Sequence, residues 1–190
     1  MNIVIFGPPG AGKGTQSNFI VEKYKLHQLS TGELLRKEIK NKTELGQQIV
    51  SIINSGNLVS DKVVSDLIEK HISDKNYKNR LIFDGYPRNL IQVKNLESLL
   101  TKYDQKIDFV LKLSVSLETI KKRISERQLL EKRPDDNEEI AIKRYKTYEK
   151  STEPVIEFYK TLNLLKVIDG ERSIDQINNE ISEIMVDIEG

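Results

Sequence analysis

Gly7, Gly12 and Lys13 stand at the spacing of a phosphate cradle, Gly-x-x-x-x-Gly-Lys, within Gly7-Pro-Pro-Gly-Ala-Gly-Lys-Gly-Thr15. Small residues there let backbone N–H groups turn inward around a polyphosphate, the following helix aims its positive end at the same anion, and Lys13 adds a full charge on a flexible stem. The spacing departs from the general motif at one place: Gly14 stands where Ser or Thr usually follows the lysine, and the hydroxyl comes at Thr15. The bland reading is a glycine turn between a strand and a helix. The agreement of strand, spacing, lysine and helix argues against it.

Asp84 ends an apolar run, Leu81-Ile-Phe-Asp84, where a magnesium-side acid of a nucleotide site would stand, although a turn Asp capping its own backbone is the plain alternative. Six arginines, Arg36, Arg88, Arg123, Arg127, Arg133 and Arg144, sit near glycine loops or expected helix ends. Arg123 and Arg127 share a helix face, and Arg133 and Arg144 lie eleven residues apart, about three turns. Any one of them could belong to a solvated face paired with Glu126, Glu131 or Glu138. As a set they suit phosphoryl transfer between two nucleotides whose charges repel, because guanidinium forks neutralise phosphates and hold them in line. His27 and His71 read as isolated residues and no convincing nucleophile stands out, which favours direct transfer over a phosphoenzyme. Asp135-Asp136 resemble paired acids, but with Glu139 three residues after Asp136 a helix cap is the stronger reading. Tyr145, Tyr148, Phe158 and Tyr159 fall at helical spacings and read as core.

The elements that must carry these residues alternate. Strands are expected at Asn2–Phe6, His27–Ser30, Leu81–Gly85, Ile107–Leu113 and Leu165–Ile168. Helices are expected from Gly14 to Lys25, from Ser30, from Thr43 to Ser55, from Ser60 or Asp61 to His71, from Asn89 to Lys102, from Leu117 to Leu130, from the Asp135–Glu139 cap to Leu162, and from Ile174 to Ile188. This order predicts a parallel sheet with helices on both faces, whose ligands sit beyond the carboxyl ends of the strands. The glycine loop, Asp84 with Arg88, and Asp169-Gly170 all fall there.

A chain of 190 residues predicts one domain, and 37% apolar with 31% charged residues suits a soluble protein. The net charge of +1 gives no reason to expect nucleic acid or an acidic membrane as partner, and no apolar run approaches a membrane span. No cysteine is present, so disulfides and thiolate metal sites are excluded, and a reducing, cytoplasmic setting is compatible. No repeat or low-complexity tract is evident.

These residues together resemble the adenylate kinase family in its bacterial short-lid form. The resemblance rests on the Gly7–Thr15 loop, Ser30-Thr-Gly-Glu-Leu-Leu-Arg36, Gly56-Asn-Leu-Val-Ser-Asp61, Phe83-Asp-Gly-Tyr-Pro-Arg88 with Gln92, Arg133-Pro-Asp-Asp136 with Arg144, and Val167-Ile-Asp-Gly170. It accounts for Gly14-Thr15, since the family carries Gly-Lys-Gly-Thr. It implies a nucleoside monophosphate kinase fold: an α/β core (1–29, 60–125, 137–190) around a five-stranded parallel sheet, an AMP-side insert (30–59) and a short lid (126–136) too small for a zinc knuckle.

The resemblance also implies roles. Gly10, Ala11, Gly12, Lys13, Gly14 and Thr15 would cradle ATP phosphates, with Arg123 and Arg127 on the ATP side and Arg172 approaching the adenine by side chain or backbone. Thr31, Arg36, Asn57, Leu58, Val59, Gly85, Tyr86, Pro87, Arg88 and Gln92 would hold AMP. Arg133 and Arg144 would span the transferring group, and Asp84 would act on Mg2+ through water. The implied partners are ATP, AMP and ADP, and the implied state is a monomer. Departures are small: Glu33 for the commoner Asp, Ser60 for Pro, and Glu126 for Gly before the lid arginine. UMP or CMP kinases share the framework, but Thr31, where they tend to carry Ala, favours AMP. Gln92 can read a purine edge without deciding. A P-loop ATPase or GTPase switch is opposed by the arginine set and by the lack of an Asn-Lys-x-Asp stretch, and a non-catalytic binding module by the intact Lys13, Asp84 and arginines.

Overall fold

A computed structural model describes residues 1–131 and 137–189. In chain order the elements are β1 (Ile3–Phe6), α1 (Lys13–Tyr24), β2 (His27–Ser30), α2 (Thr31–Lys40), α3 (Glu44–Asn54), α4 (Asp61–Ile72), a 3-10 turn (Lys75–Tyr77), β3 (Leu81–Asp84), α5 (Leu90–Lys102), β4 (Phe109–Ser114), α6 (Leu117–Glu131), α7 (Glu138–Ser151), α8 (Glu153–Thr161), β5 (Leu165–Asp169) and α9 (Ile174–Glu189). The strands form one parallel sheet in the order β2-β3-β1-β4-β5.

Strand alternation divides the core in two. Val4 and Phe6 of β1, with Leu81 and Phe83 of β3, face a layer supplied by α4, α5 and α8 (Ile68, Leu96, Ile156). Ile3 and Ile5, with Ile82 and Leu111, face Ile20 of α1 and Ile181 of α9. Thus α1, which leaves β1, and α5, which leaves β3, lie on opposite faces. Beyond the carboxyl ends of these neighbouring strands a gap opens, the topological switch point of such sheets.

The other rim of the sheet is closed by amides. Asn2, fully buried, donates from Nδ2 to Lys106 O (2.9 Å) and Gln105 Oε1 (3.2 Å) and accepts from Leu81 N (3.1 Å). Gln105 in turn accepts from Asn79 N (2.8 Å) and donates to Ile72 O (3.1 Å).

Two expectations need correction. The helix expected to run on to Leu162 is two helices: α7 ends at Ser151 and α8 begins at Glu153 with Pro154 in its first turn. Pro154 has no N–H to continue the ladder and its ring crowds the carbonyl four residues back, so the helix is broken at the buried Thr152. The cap of α7 is Asn137, whose side chain accepts from Ile140 N (2.8 Å); Asp135-Asp136 lie outside the described residues. Second, His27 and His71 are not isolated. Their rings stack 5.5 Å apart, and Tyr77 lies 3.7 Å from His27. Burial, then the facing imidazole, lowers the His27 pKa. Smaller differences concern ends: Ser60 precedes α4 without capping it through its side chain, and β4 starts at Phe109. Among the described residues no helix is long and apolar enough to cross a membrane.

Candidate active site

Strand register assembles the site. Ile5 of β1, Asp84 of β3 and Ser30 of β2 lie level across the sheet. Asp84 therefore stands between the loop that leaves β1 and the helix that leaves β2. Around this row lies a cleft of about 620 Å3. Gly10, Gly12, Lys13, Gly14 and Thr15 line one side; Thr31, Arg36, Asn57, Leu58 and Val59 line the other; Asp84, Gly85, Pro87, Arg88 and Gln92 form the floor, with Arg123, Arg127 and Arg144 above.

On the loop side, Gly12 ends the cradle at φ 94° and serves as the N-cap of α1, a backbone state open to glycine at little cost. Amides at the start of α1 consequently face the cleft with the helix dipole behind them. Lys13 Nζ lies across the loop, donating to Gly7 O (2.8 Å) and Pro8 O (3.2 Å). Burial pushes its ammonium from 10.5 down to about 8; Asp84 opposes that shift, and Arg88, Arg144 and Arg127 add to it. The Arg88 guanidinium is lowered to about 10, by burial and then by Arg144. Several cations are thus held within electrostatic reach of one another in a desolvated cleft, an arrangement that a multiply charged anion would stabilise.

On the floor, Gly85 is the hub. Its carbonyl accepts from Thr31 Oγ1 (2.9 Å) and Arg88 Nε (2.6 Å). Its φ is +77°, and a Cβ would lie 2.9 Å from Thr31 Oγ1, so no other residue fits here without displacing both partners. Arg88 is also fixed through its backbone: its N–H donates to Gln92 Oε1 (2.6 Å) and its carbonyl accepts from Thr152 Oγ1 (3.2 Å). Asp84, 8% exposed, accepts from Gln28 Nε2 (3.2 Å). Leu35, Ile53, Val59 and Val64 supply an apolar wall on the insert side, suited to a flat base.

Arg123 spans two loops, donating to Ala11 O (3.3 Å) and Gly170 O (2.8 Å). It thereby ties the cradle to the turn that ends β5. Across the cleft, Lys143 Nζ donates to Ser55 O (2.8 Å), joining α7 to the loop after α3.

Three expected site residues stand apart from this set. Ala11 and Tyr86 are buried behind the wall at 2% and 0% exposure and present no side chain to the cleft. Arg172 pairs with Glu180 and Asp169 and is not part of the cleft lining. Arg133 lies outside the described residues, as does residues 132–136 of the expected lid. Among the expected acidic partners, Glu138 pairs with Lys121 (2.9 Å). Tyr148, expected in the core, packs against it and also lines the cleft, as do Thr147 and Thr152.

Gln28 and Asp61 contribute without having been singled out for these roles. A polar Gln inside a strand, two residues before Ser30, is a usable signal; Asp61 reads from the sequence as the end of the Gly56–Asp61 motif and a possible helix cap, with no role at the site.

A model of the family described as "Adenylate kinase" matches residues 5–164. A protein of Pelagibacter ubique named "Adenylate kinase" is 46% identical over 97% of this chain and 99% of its own length. Relatives of that name from Prochlorococcus marinus (45% identical; 97% of this chain, 98% of the relative) and Fusobacterium nucleatum (37% identical; 97% and 98%) align as completely.

Proposed function

The chain belongs to the adenylate kinase family, and from that premise we propose how its own residues divide the labour of moving a phosphoryl group. The reaction is the reversible, Mg-dependent transfer of the terminal phosphoryl group of ATP to AMP, giving two ADP. Transfer is direct: an oxygen of the AMP phosphate bonds to the γ-phosphorus as the bond to the β–γ bridging oxygen breaks, and that oxygen's electron pair leaves with ADP. The observation that carries the reading is the gathering of Lys13, Asp84, Arg88, Arg127 and Arg144 around one continuous cleft.

Backbone amides of Gly10–Thr15 and the Lys13 ammonium hold the ATP phosphates. Arg123 and Arg127 attend the donor nucleotide, with Ala11 acting through its backbone. Thr31, Arg36, Asn57–Val59, Gly85–Pro87 and Gln92 seat AMP against the apolar wall. Arg88 and Arg144, with Arg133 completing the set, neutralise the charge shared between donor and acceptor.

The donor set around Asp84 fits Mg2+. It offers one carboxylate within electrostatic reach of Lys13 in a cleft that Thr15 also lines, and among the described residues no cluster of three or more metal-binding side chains. A cation that keeps water and takes phosphate oxygens suits such a place. When bound, it supplies charge neutralisation across the phosphate oxygens. Exclusion of water, which competes with AMP for the γ-phosphoryl group, falls to the insert 30–59 closing over the cleft; the lid expected at 126–136 lies partly outside the described residues. The chain acts as a monomer in the cytoplasm, without nucleic acid or membrane as partner.

The test mixes purified protein with MgATP and AMP, UMP or CMP in turn and follows ADP. Strong ADP formation with AMP, little with the pyrimidine monophosphates, and slow loss of ATP alone are expected. Preferred turnover of UMP or CMP overturns the acceptor assignment, and steady ATP hydrolysis without an acceptor overturns direct transfer.

A further inference from the structure

We infer that Asp61, which does not line the cleft, is a positioning residue that fixes the polarity of the Gln92 amide and so sets the enzyme's preference for an adenine over a 6-oxopurine acceptor. The inference rests on the acceptor side of the reading above.

Gln92 is 2% exposed yet lines the cleft, so its side chain is enclosed by protein except where it meets the site. Its oxygen accepts from Arg88 N (2.6 Å), and its nitrogen donates to Asp61 Oδ1 (2.7 Å). A backbone N–H only donates and an ionised carboxylate only accepts. Turned over, the amide would set oxygen against carboxylate and nitrogen against N–H, losing both bonds and opposing like poles. In the observed sense it retains one N–H and one lone pair for a ligand.

That remainder suits adenine, which places an amino donor beside a ring-nitrogen acceptor. Hypoxanthine places a carbonyl where adenine has the amino group. A freely turning amide could adapt to either base, whereas one pinned from behind cannot.

Asp61 is itself held in place. Asn89 Nδ2 donates to both of its carboxylate oxygens (3.1 and 3.3 Å), while Asn89 Oδ1 accepts from Gln92 N (2.8 Å) as the cap of α5. It is the first residue of α4, where the helix dipole favours a carboxylate, although Ser60 is the formal cap and makes no side-chain bond to the helix. Two residues earlier Val59, the last residue of the insert, lines the cleft. One carboxylate thus links the exit of the insert, the start of α5 and the Arg88 backbone.

The experiment measures steady-state kinetics with AMP and with IMP as acceptors for wild type, Asp61→Ala and Asp61→Asn. With Asp61→Ala, KM for AMP should rise about tenfold and the AMP:IMP ratio of kcat/KM should fall about tenfold, with KM for ATP within about twofold. Asp61→Asn keeps an acceptor oxygen for the amide and should restore KM and the ratio to within about threefold of wild type. If Asp61→Ala does not fold, Asp61→Ser, too short to reach the amide, replaces it with the same expected changes. A folded Ala or Ser variant with wild-type KM for AMP and an unchanged AMP:IMP ratio overturns the inference. So does an Asn variant as impaired as the Ala variant, or an equal rise in KM for ATP. Absence of ATP:AMP transfer in the wild type would sink the functional reading instead, so the two failures are distinguishable.

Discussion

Arg88 is fixed at backbone N, backbone O and side-chain Nε before any substrate arrives, by Gln92, Thr152 and Gly85. A guanidinium held this way approaches phosphate oxygens with two parallel donors, which a lysine on a free stem cannot supply. Arg88→Lys should therefore lower kcat by about 10²-fold or more while the melting temperature moves by only a few degrees; similar turnover with a collapsed melting temperature would refute it. Lys13 gives a prediction in pH. Its folded pKa of about 8 lies below the ordinary 10.5. Between those values the unfolded chain holds a proton that the folded chain has released, so this residue's contribution to stability rises with pH across that window. Urea unfolding of wild type and Lys13→Met without nucleotide should show the wild type gaining on the variant from about pH 8 to about pH 10, and a constant gap would contradict it. Residue identity was the most legible level: Lys13, Asp84 and Arg88 could be picked out because a glycine loop and an abruptly acidic strand end carry their own chemistry. Asp61 could not, because its meaning comes from a partner 31 residues away in sequence.

At the scale of elements, period and punctuation located each strand, and the parallel sheet with helices on both faces followed from their alternation. What the pattern did not yield was the joint between α7 and α8. Apolar spacing runs through it, and the break comes from Pro154, a signal that was present but outweighed by the periodicity. The joint matters to the site because it aims Thr152 at the Arg88 carbonyl. Thr152→Val keeps the shape and removes the donor; KM for AMP should rise about threefold, with KM for ATP unchanged, in steady-state assays. Equal effects on both substrates would show that the joint acts on the whole cleft and not on Arg88. Register was likewise beyond one-dimensional reading. Only the pairing of Ser30, Asp84 and Ile5 brings three distant segments level.

Across the whole molecule, the two rims of the sheet differ in kind. One gathers cations around an open cleft; the other is sealed by the Asn2 and Gln105 amides. Asn2→Ala would take the side-chain partner from Leu81 N and from Lys106 O, and one of the two donors from Gln105 Oε1, in a buried place, a loss of about 2–4 kcal/mol. Thermal melts should then fall by about 5–10 °C, with kcat/KM per folded molecule within about twofold of wild type. A drop in kcat/KM matching the loss of stability would mean that the sealed rim also shapes the site. The two rims therefore invite opposite engineering. A library screened for heat resistance should gather its gains on the amide side, where improvement asks nothing of chemistry, whereas substitutions that relieve crowded positive charge on the open side would harden the resting protein and blunt it as a catalyst.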